Sequence, residues 1–112
     1  MWQDDRPIYL QIRDIIVVRI LDNVHGDGPL PSVRALAAEL DVNPLTVAKA
    51  YQELQLAGLV VAKKGVGLYV EQGARAALLK SERAAFLETE WPRIKRRIAQ
   101  LGLAPEDLFA QA

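Results

Sequence analysis

The chain has 112 residues, 51% of them hydrophobic and 25% charged, with no cysteine and a formal net charge of zero from 14 basic and 14 acidic side chains. That length holds one hydrophobic core with a small appendage, and the lack of cysteine excludes disulfides and thiolate metal sites and suits a reducing, cytoplasmic setting. The charge balance counts against a broadly basic nucleic-acid surface, so any attraction for phosphate has to come from local placement of Arg34, Lys49, Lys63 and Lys64.

The opening residues Met1 to Arg6 are polar and acidic, unlike a signal peptide. The apolar run Ile15-Ile16-Val17-Val18 stops at Arg19 and Asp22, short of the roughly 20 residues a membrane span needs. No membrane association is expected.

Pro7 to Asp22 reads as a first helix with Pro7 at its start and a core stripe of Ile8, Ile12, Ile15, Ile16 and Ile20. Leu10, Val17 and Leu21 lie off that stripe, so this helix is expected to be sandwiched or to pack on a partner. His25 to Pro31 carries Gly26, Gly28, Pro29 and Pro31 and reads as loop. His25 has only Asp22 and Asp27 near it in sequence, too few ligands for a metal. No metal or other cofactor is expected.

Ser32 is placed to cap a second helix over about Val33 to Leu40, whose Val33, Leu36, Ala37 and Leu40 make an apolar stripe. Only Asp41 and Val42 separate it from a third helix. There Asn43 can cap the free amides and Pro44 fits the first position, where no N–H is needed. Val47, Ala50, Tyr51 and Leu54 fall on one face, which leaves Asn43, Leu45, Thr46 and Lys49 displayed at the N-terminal end. Two short helices joined this tightly make a helix-turn-helix, and a polar surface on a firmly anchored first turn suits a major-groove reader.

Gly58 is expected to end the third helix in a left-handed cap. Leu59 to Ala62 and Leu68 to Val70 then read as two strands around Lys63-Lys64-Gly65-Val66-Gly67, a basic hairpin whose glycines permit positive φ and close approach to a phosphate or groove floor. Such a hairpin after a recognition helix is a wing. From Gly73 onward the pattern is helical: Arg75 to about Thr89, Pro92 to Leu101, and Pro105 to Gln111, with Pro92 breaking or kinking the path. Leu87, Trp91, Ile94, Ile98 and Leu101 recur at spacings of four and three, a helix–helix seam suited to an αα-hairpin that pairs with its twin. The basic residues Arg93, Lys95, Arg96 and Arg97 read as the solvated outer face of that helix, with a second DNA contact as the alternative.

The ordered motifs Pro31-Ser32-Val33-Arg34-Ala35-Leu36-Ala37, Asn43-Pro44-Leu45-Thr46-Val47, Ala50-Tyr51-Gln52-Glu53-Leu54 and Gly58-Leu59-Val60 resemble the winged-helix domain of GntR-type bacterial transcription regulators. The resemblance covers about residues 7 to 71. The tail Phe86…Trp91…Leu101-Gly102-Leu103…Pro105-Glu106-Asp107-Leu108 looks like that of the YtrA branch, whose members use a short helical tail to dimerise. The resemblance implies a mainly α fold with a small β-hairpin: a winged helix-turn-helix DNA-binding domain over residues 1–72 and a helical dimerisation tail over 73–112.

It also implies roles. Arg34, Thr46 and Lys49 are expected to meet double-stranded DNA, with Gly65 and Gly67 bringing the wing to it; from their own placement beside these, Ser32, Asn43, Leu45, Lys63 and Lys64 are expected to meet it as well. Leu79, Phe86, Leu87, Trp91, Ile94, Ile98 and Leu101 are expected to form the homodimer. Two features depart from the pattern. Lys49 stands where many family members carry arginine, and it lacks the planar fork that grips guanine bidentately. The loop Gly26 to Leu30 is one residue longer than usual. The implied function is a sequence-specific regulator, a repressor rather than an activator, binding a palindromic operator as a homodimer. The alternatives are a winged-helix module that docks on another protein and, remotely, an enzyme, for which no nucleophile–base pair or metal cluster is visible. So short a tail suggests no dedicated effector pocket, although a small molecule could bind between tails or beneath the third helix.

Overall fold

The computed structural model describes residues 2–63 and 65–110. In chain order it has α1 (Ile8–Leu21), α2 (Val33–Leu40), α3 (Pro44–Leu56), β1 (Val60–Lys63), β2 (Gly67–Val70), α4 (Ala74–Ala85), a π-helical turn (Phe86–Glu90), α5 (Trp91–Gln100) and α6 (Pro105–Ala110). The chain divides into two compact units, the first ending at Leu78 and the second beginning at Leu79.

The first unit is organised around three helices. Ile12, Ile16 and Ile20 of α1, Leu36 and Leu40 of α2, and Val47, Ala50, Tyr51 and Leu54 of α3 make one buried cluster, closed by Leu30, Val60 and Leu78. Ile8 stays 39% exposed, because it sits on the first turn of α1, beyond the end of the cluster. The off-stripe residues Val17 and Leu21 are half-buried against the core.

On α1, Gln11 is buried and clasps the segment before the helix. Its side chain accepts from the Gln3 N–H at 2.8 Å and donates to the carbonyls of Gln3 at 2.8 Å and Arg6 at 2.9 Å. The amide's burial is compensated because its oxygen and nitrogen both have partners. This clasp also brings Trp2 against the core.

The link between α2 and α3 is made without glycine. Asp41 adopts the left-handed conformation (φ 55°, ψ 54°) and the Val42 N–H returns to the Ala37 carbonyl at 3.0 Å. Aspartate is among the few L-residues that tolerate this region. The end of α3 follows the glycine rule. Gly58 has φ 76°, its N–H bonds the Gln55 carbonyl, and the Leu59 N–H bonds the Leu54 carbonyl, both at 3.0 Å. That is a Schellman motif.

Because Leu59 spends its N–H on this cap, pairing starts one residue later than the sequence pattern suggests. The antiparallel register is Val60↔Val70, Val61↔Tyr69, Ala62↔Leu68 and Lys63↔Gly67. The loop ahead of α2 is stitched to the free edge of β2: Pro29 bridges Tyr69, and the Leu30 N–H bonds the Leu68 carbonyl at 2.8 Å.

Of the break or kink expected at Pro92, the structure shows no break. The backbone stays helical from Ala74 to Gln100 and passes through the π turn just before the proline. The Trp91 N–H bonds the Phe86 carbonyl five residues back. Proline has no N–H and its ring crowds the carbonyl four residues earlier, so a wider turn absorbs it without ending the helix. Gly102 (φ 65°) then closes α5 with a second Schellman motif, the Leu103 N–H on the Ile98 carbonyl at 3.1 Å. Ile98 is half-buried, whereas Leu79, Phe86, Leu87, Trp91, Ile94 and Leu101 are all exposed. Arg93, Lys95, Arg96 and Arg97 are exposed, which suits a solvated face and a DNA contact equally. Among the described residues, no helix is long and apolar enough to cross a membrane.

Candidate nucleic-acid interface

Both short helices begin with the caps expected of them. Ser32 Oγ accepts from the Ala35 N–H at 3.1 Å, and Asn43 Oδ1 accepts from the Leu45 N–H at 2.8 Å. Each cap satisfies one of the free amides of a helix start and fixes the chain's entry. The α3 start is further held by Tyr51, whose hydroxyl donates to the Pro31 carbonyl at 2.7 Å, tying the middle of α3 to the entry of α2. Burial pushes the Tyr51 phenol up to about 12, with Glu39 adding to the shift and Arg19 opposing it. It therefore stays a protonated donor at neutral pH. Arg19 and Glu39 form an ion pair that joins α1 to α2 behind the site.

With Val47, Ala50, Tyr51 and Leu54 buried, the opposite side of α3 faces out. Leu45 is 77% exposed at the second helical position, Lys49 is exposed one turn later, and Thr46 is half-buried on the shoulder between the two faces. Lys49 does not extend freely. Its Nζ sits 4.1 Å from the centroid of the Tyr9 ring on α1, a cation–π contact. Arg34, the second residue of α2, is exposed and makes no hydrogen bond or ion pair among the described residues. Placing an unneutralised cation near the positive end of a helix dipole is unfavourable unless an anion joins it.

The wing repeats the lysine–tyrosine arrangement. Lys63 Nζ lies 4.3 Å from the Tyr69 ring centroid across the hairpin. Gly65 (φ 76°) and Gly67 (φ 121°) both take positive φ, and among the described residues beyond its chain neighbours nothing lies within 4 Å of where a Cβ would stand on either. Their need for glycine is therefore conformational, and the space beside them is open for a ligand backbone. Lys64 lies outside the described residues.

Two contributors were not picked out from sequence. Gln52 is exposed on the same side of α3 as Leu45 and Lys49, at a seven-residue spacing from Leu45 that the helical period alone could have shown. Tyr9 carried no signal, because its contact with Lys49 spans forty residues and needs α1 packed on α3. Among the described residues, no group of three or more His, Cys, Asp or Glu is placed to hold an ion. His25 has its Nε2 buried without a partner; burial, then the Arg19 charge, hold its imidazole below the ordinary range and favour the neutral form.

A capped helix pair, an outward polar first turn and a glycine-bearing hairpin beside it define a winged helix-turn-helix DNA-binding protein. The model of the family "Bacterial regulatory proteins, gntR family" matches residues 8–70, from the start of α1 to the end of β2. The chain belongs to the GntR family of transcription regulators. It is 30% identical over 110 residues to the HTH-type transcriptional regulator YhcF of Bacillus subtilis, covering 96% of this chain and 88% of that one. It is 38% identical over 77 residues to the HTH-type transcriptional repressor YtrA of the same organism, covering 68% of this chain and 59% of the repressor. The crystal structure of a transcriptional regulator from Oenococcus oeni superposes with a TM-score of 0.71 at 29% identity, covering 98% of this chain and 91% of that one. These relatives are regulators of transcription, not enzymes, and the chain is a DNA-binding transcription regulator of their family.

Proposed function

We propose that this regulator acts in the cytoplasm as a homodimeric repressor on a palindromic operator. Residues 1–72 bind DNA and 73–112 dimerise. The observation that carries the reading is the outward start of α3: a doubly anchored helix end presenting Leu45, Thr46 and Lys49, with Arg34 on one side and the wing on the other. In the proposed complex this end enters the major groove. Arg34, Lys63, Lys64 and the amides at the helix starts, with Ser32 and Asn43, meet phosphates. Gly65 and Gly67 let the wing tip approach the minor groove. Lys49 lifts from Tyr9 to a base edge or phosphate. Repression is supported by the YtrA relative, which is a transcriptional repressor.

Dimerisation is supported by the apolar side of the tail. Trp91 and Ile94 remain 37% and 41% exposed, and the Phe86 and Trp91 rings stack with centroids 6.4 Å apart. Large apolar groups gathered in one stretch at this exposure mark an interaction surface. Two identical tails bring two α3 helices to half-sites about one helical turn apart.

The test is sedimentation and operator binding of the wild type and an Ile94→Glu variant. Since Ile94 is already part-exposed in the protomer, the glutamate should leave each protomer folded. The wild type is expected to sediment as a dimer and the variant as a monomer. Losing the second half-site should weaken operator binding by about 100-fold or more. A monomeric wild type that binds operator tightly would sink the dimer reading.

A further inference from the structure

We propose that Leu45 determines specificity by packing on the C5-methyl of one thymine in each half-site. Leu45 is a large apolar residue at the second position of α3, 77% exposed, with its backbone fixed by the Asn43 cap. It contributes no packing to the core and points along the same face as Lys49 and Gln52. This proposal rests on α3 entering the major groove. At that location an isobutyl group meets base edges that are hydrogen-bond donors and acceptors, with one exception, the thymine methyl. Against adenine, guanine or cytosine, leucine strips water from polar edge atoms and returns no hydrogen bond, which is costly. Against thymine it buries apolar surface on both sides. Leu45 therefore both selects thymine and rejects the other bases. Lys49 lacks the guanidinium fork, so an apolar reader one turn earlier supplies discrimination that the lysine does not.

Removing one buried methyl is worth about fourfold in affinity, or about fifteenfold when both half-sites of a dimer lose it. The experiment selects operators from a random duplex library with wild type and with Leu45→Ala, then replaces each selected thymine by deoxyuridine, which lacks only the methyl. For wild type, one thymine per half-site is expected where the exchange weakens binding by about these factors. Leu45→Ala should bind the thymine and uracil operators equally and no longer select thymine there. The substitution is at an exposed position and alanine is a strong helix former, so the variant should melt as the wild type does. Equal affinity of wild type for thymine and uracil at every position would overturn the proposal, as would an unchanged thymine preference in Leu45→Ala. Arg34→Ala separates the two failures. If it loses operator binding while uracil is tolerated throughout, only the role of Leu45 falls; if it binds operator normally, the groove reading falls with it.

Discussion

Arg34→Ala and Lys49→Ala are each expected to weaken operator binding by about 2 kcal/mol, some 30-fold, because a dimer loses about 1 kcal/mol in each half-site. The double variant should lose about 4 kcal/mol, which brings specific binding close to the non-specific level. Neither side chain belongs to the core, so Arg34→Ala should leave the melting temperature unchanged and Lys49→Ala should lower it only by the loss of its Tyr9 contact. The salt dependence carries the mechanism. A dimer that places about three cations per protomer on phosphates should show a slope of log K against log salt of about −5, and Arg34→Ala should reduce that slope by about 2. Tyr9→Leu, which leaves Lys49 in place without its ring, should cost less than the loss of the lysine itself. Titrating labelled operator at several salt concentrations measures all of these. A salt-independent affinity would mean that the cations merely decorate the surface.

Leu54→Ala should produce the opposite pattern, a loss of stability by about 3 kcal/mol with DNA contacts untouched. Leu54 is fully buried between α3 and its neighbours, and its carbonyl receives the Leu59 N–H that closes the helix before the wing. The cavity left by three missing carbons cannot be refilled by surrounding isoleucines and valines that are already packed. For a domain this small that is a large part of the total stability. Urea denaturation should show a lower midpoint with an unchanged slope. At temperatures where the variant is still folded, it should bind operator with near wild-type affinity.

What was legible in the chain was what is local. Ser32, Asn43, Pro44 and Gly58 announce helix ends because capping and left-handed turns are decided within a few residues. The stripes of α2 and α3 announce their buried faces because the helical period is short. Hence the helix-turn-helix and the side of α3 that faces out could be read directly, and the wing followed from two short β runs around Gly65 and Gly67. Some of the features that escaped depend on partners elsewhere in the chain, and others on a local backbone choice that the residue type does not announce. Asp41 takes a left-handed turn that glycine or asparagine would have signalled more clearly. Gln11 looks like an ordinary helix residue until the preceding segment folds over it. Pro29 reads as a loop breaker, yet it lies along β2. Pro92 reads as a break or a kink, and the turn before it widens without ending the helix. The same division runs through the site: Lys49 was placed on its helix face by spacing, while the ring that holds it came from another helix.

The role of α3 can be tested by chemistry at one position. The chain has no cysteine, so Ala48→Cys, at an exposed site beside Leu45 and Lys49, gives a single thiol to carry a photoreactive aryl azide. Irradiated on its operator, that protein is expected to cross-link to bases at two symmetric positions, one per half-site, on the major-groove side. An equivalent cysteine at exposed Arg96 in the tail serves as the comparison. Operator-bound protein that yields no adduct from position 48 would contradict the placement of α3 in the groove.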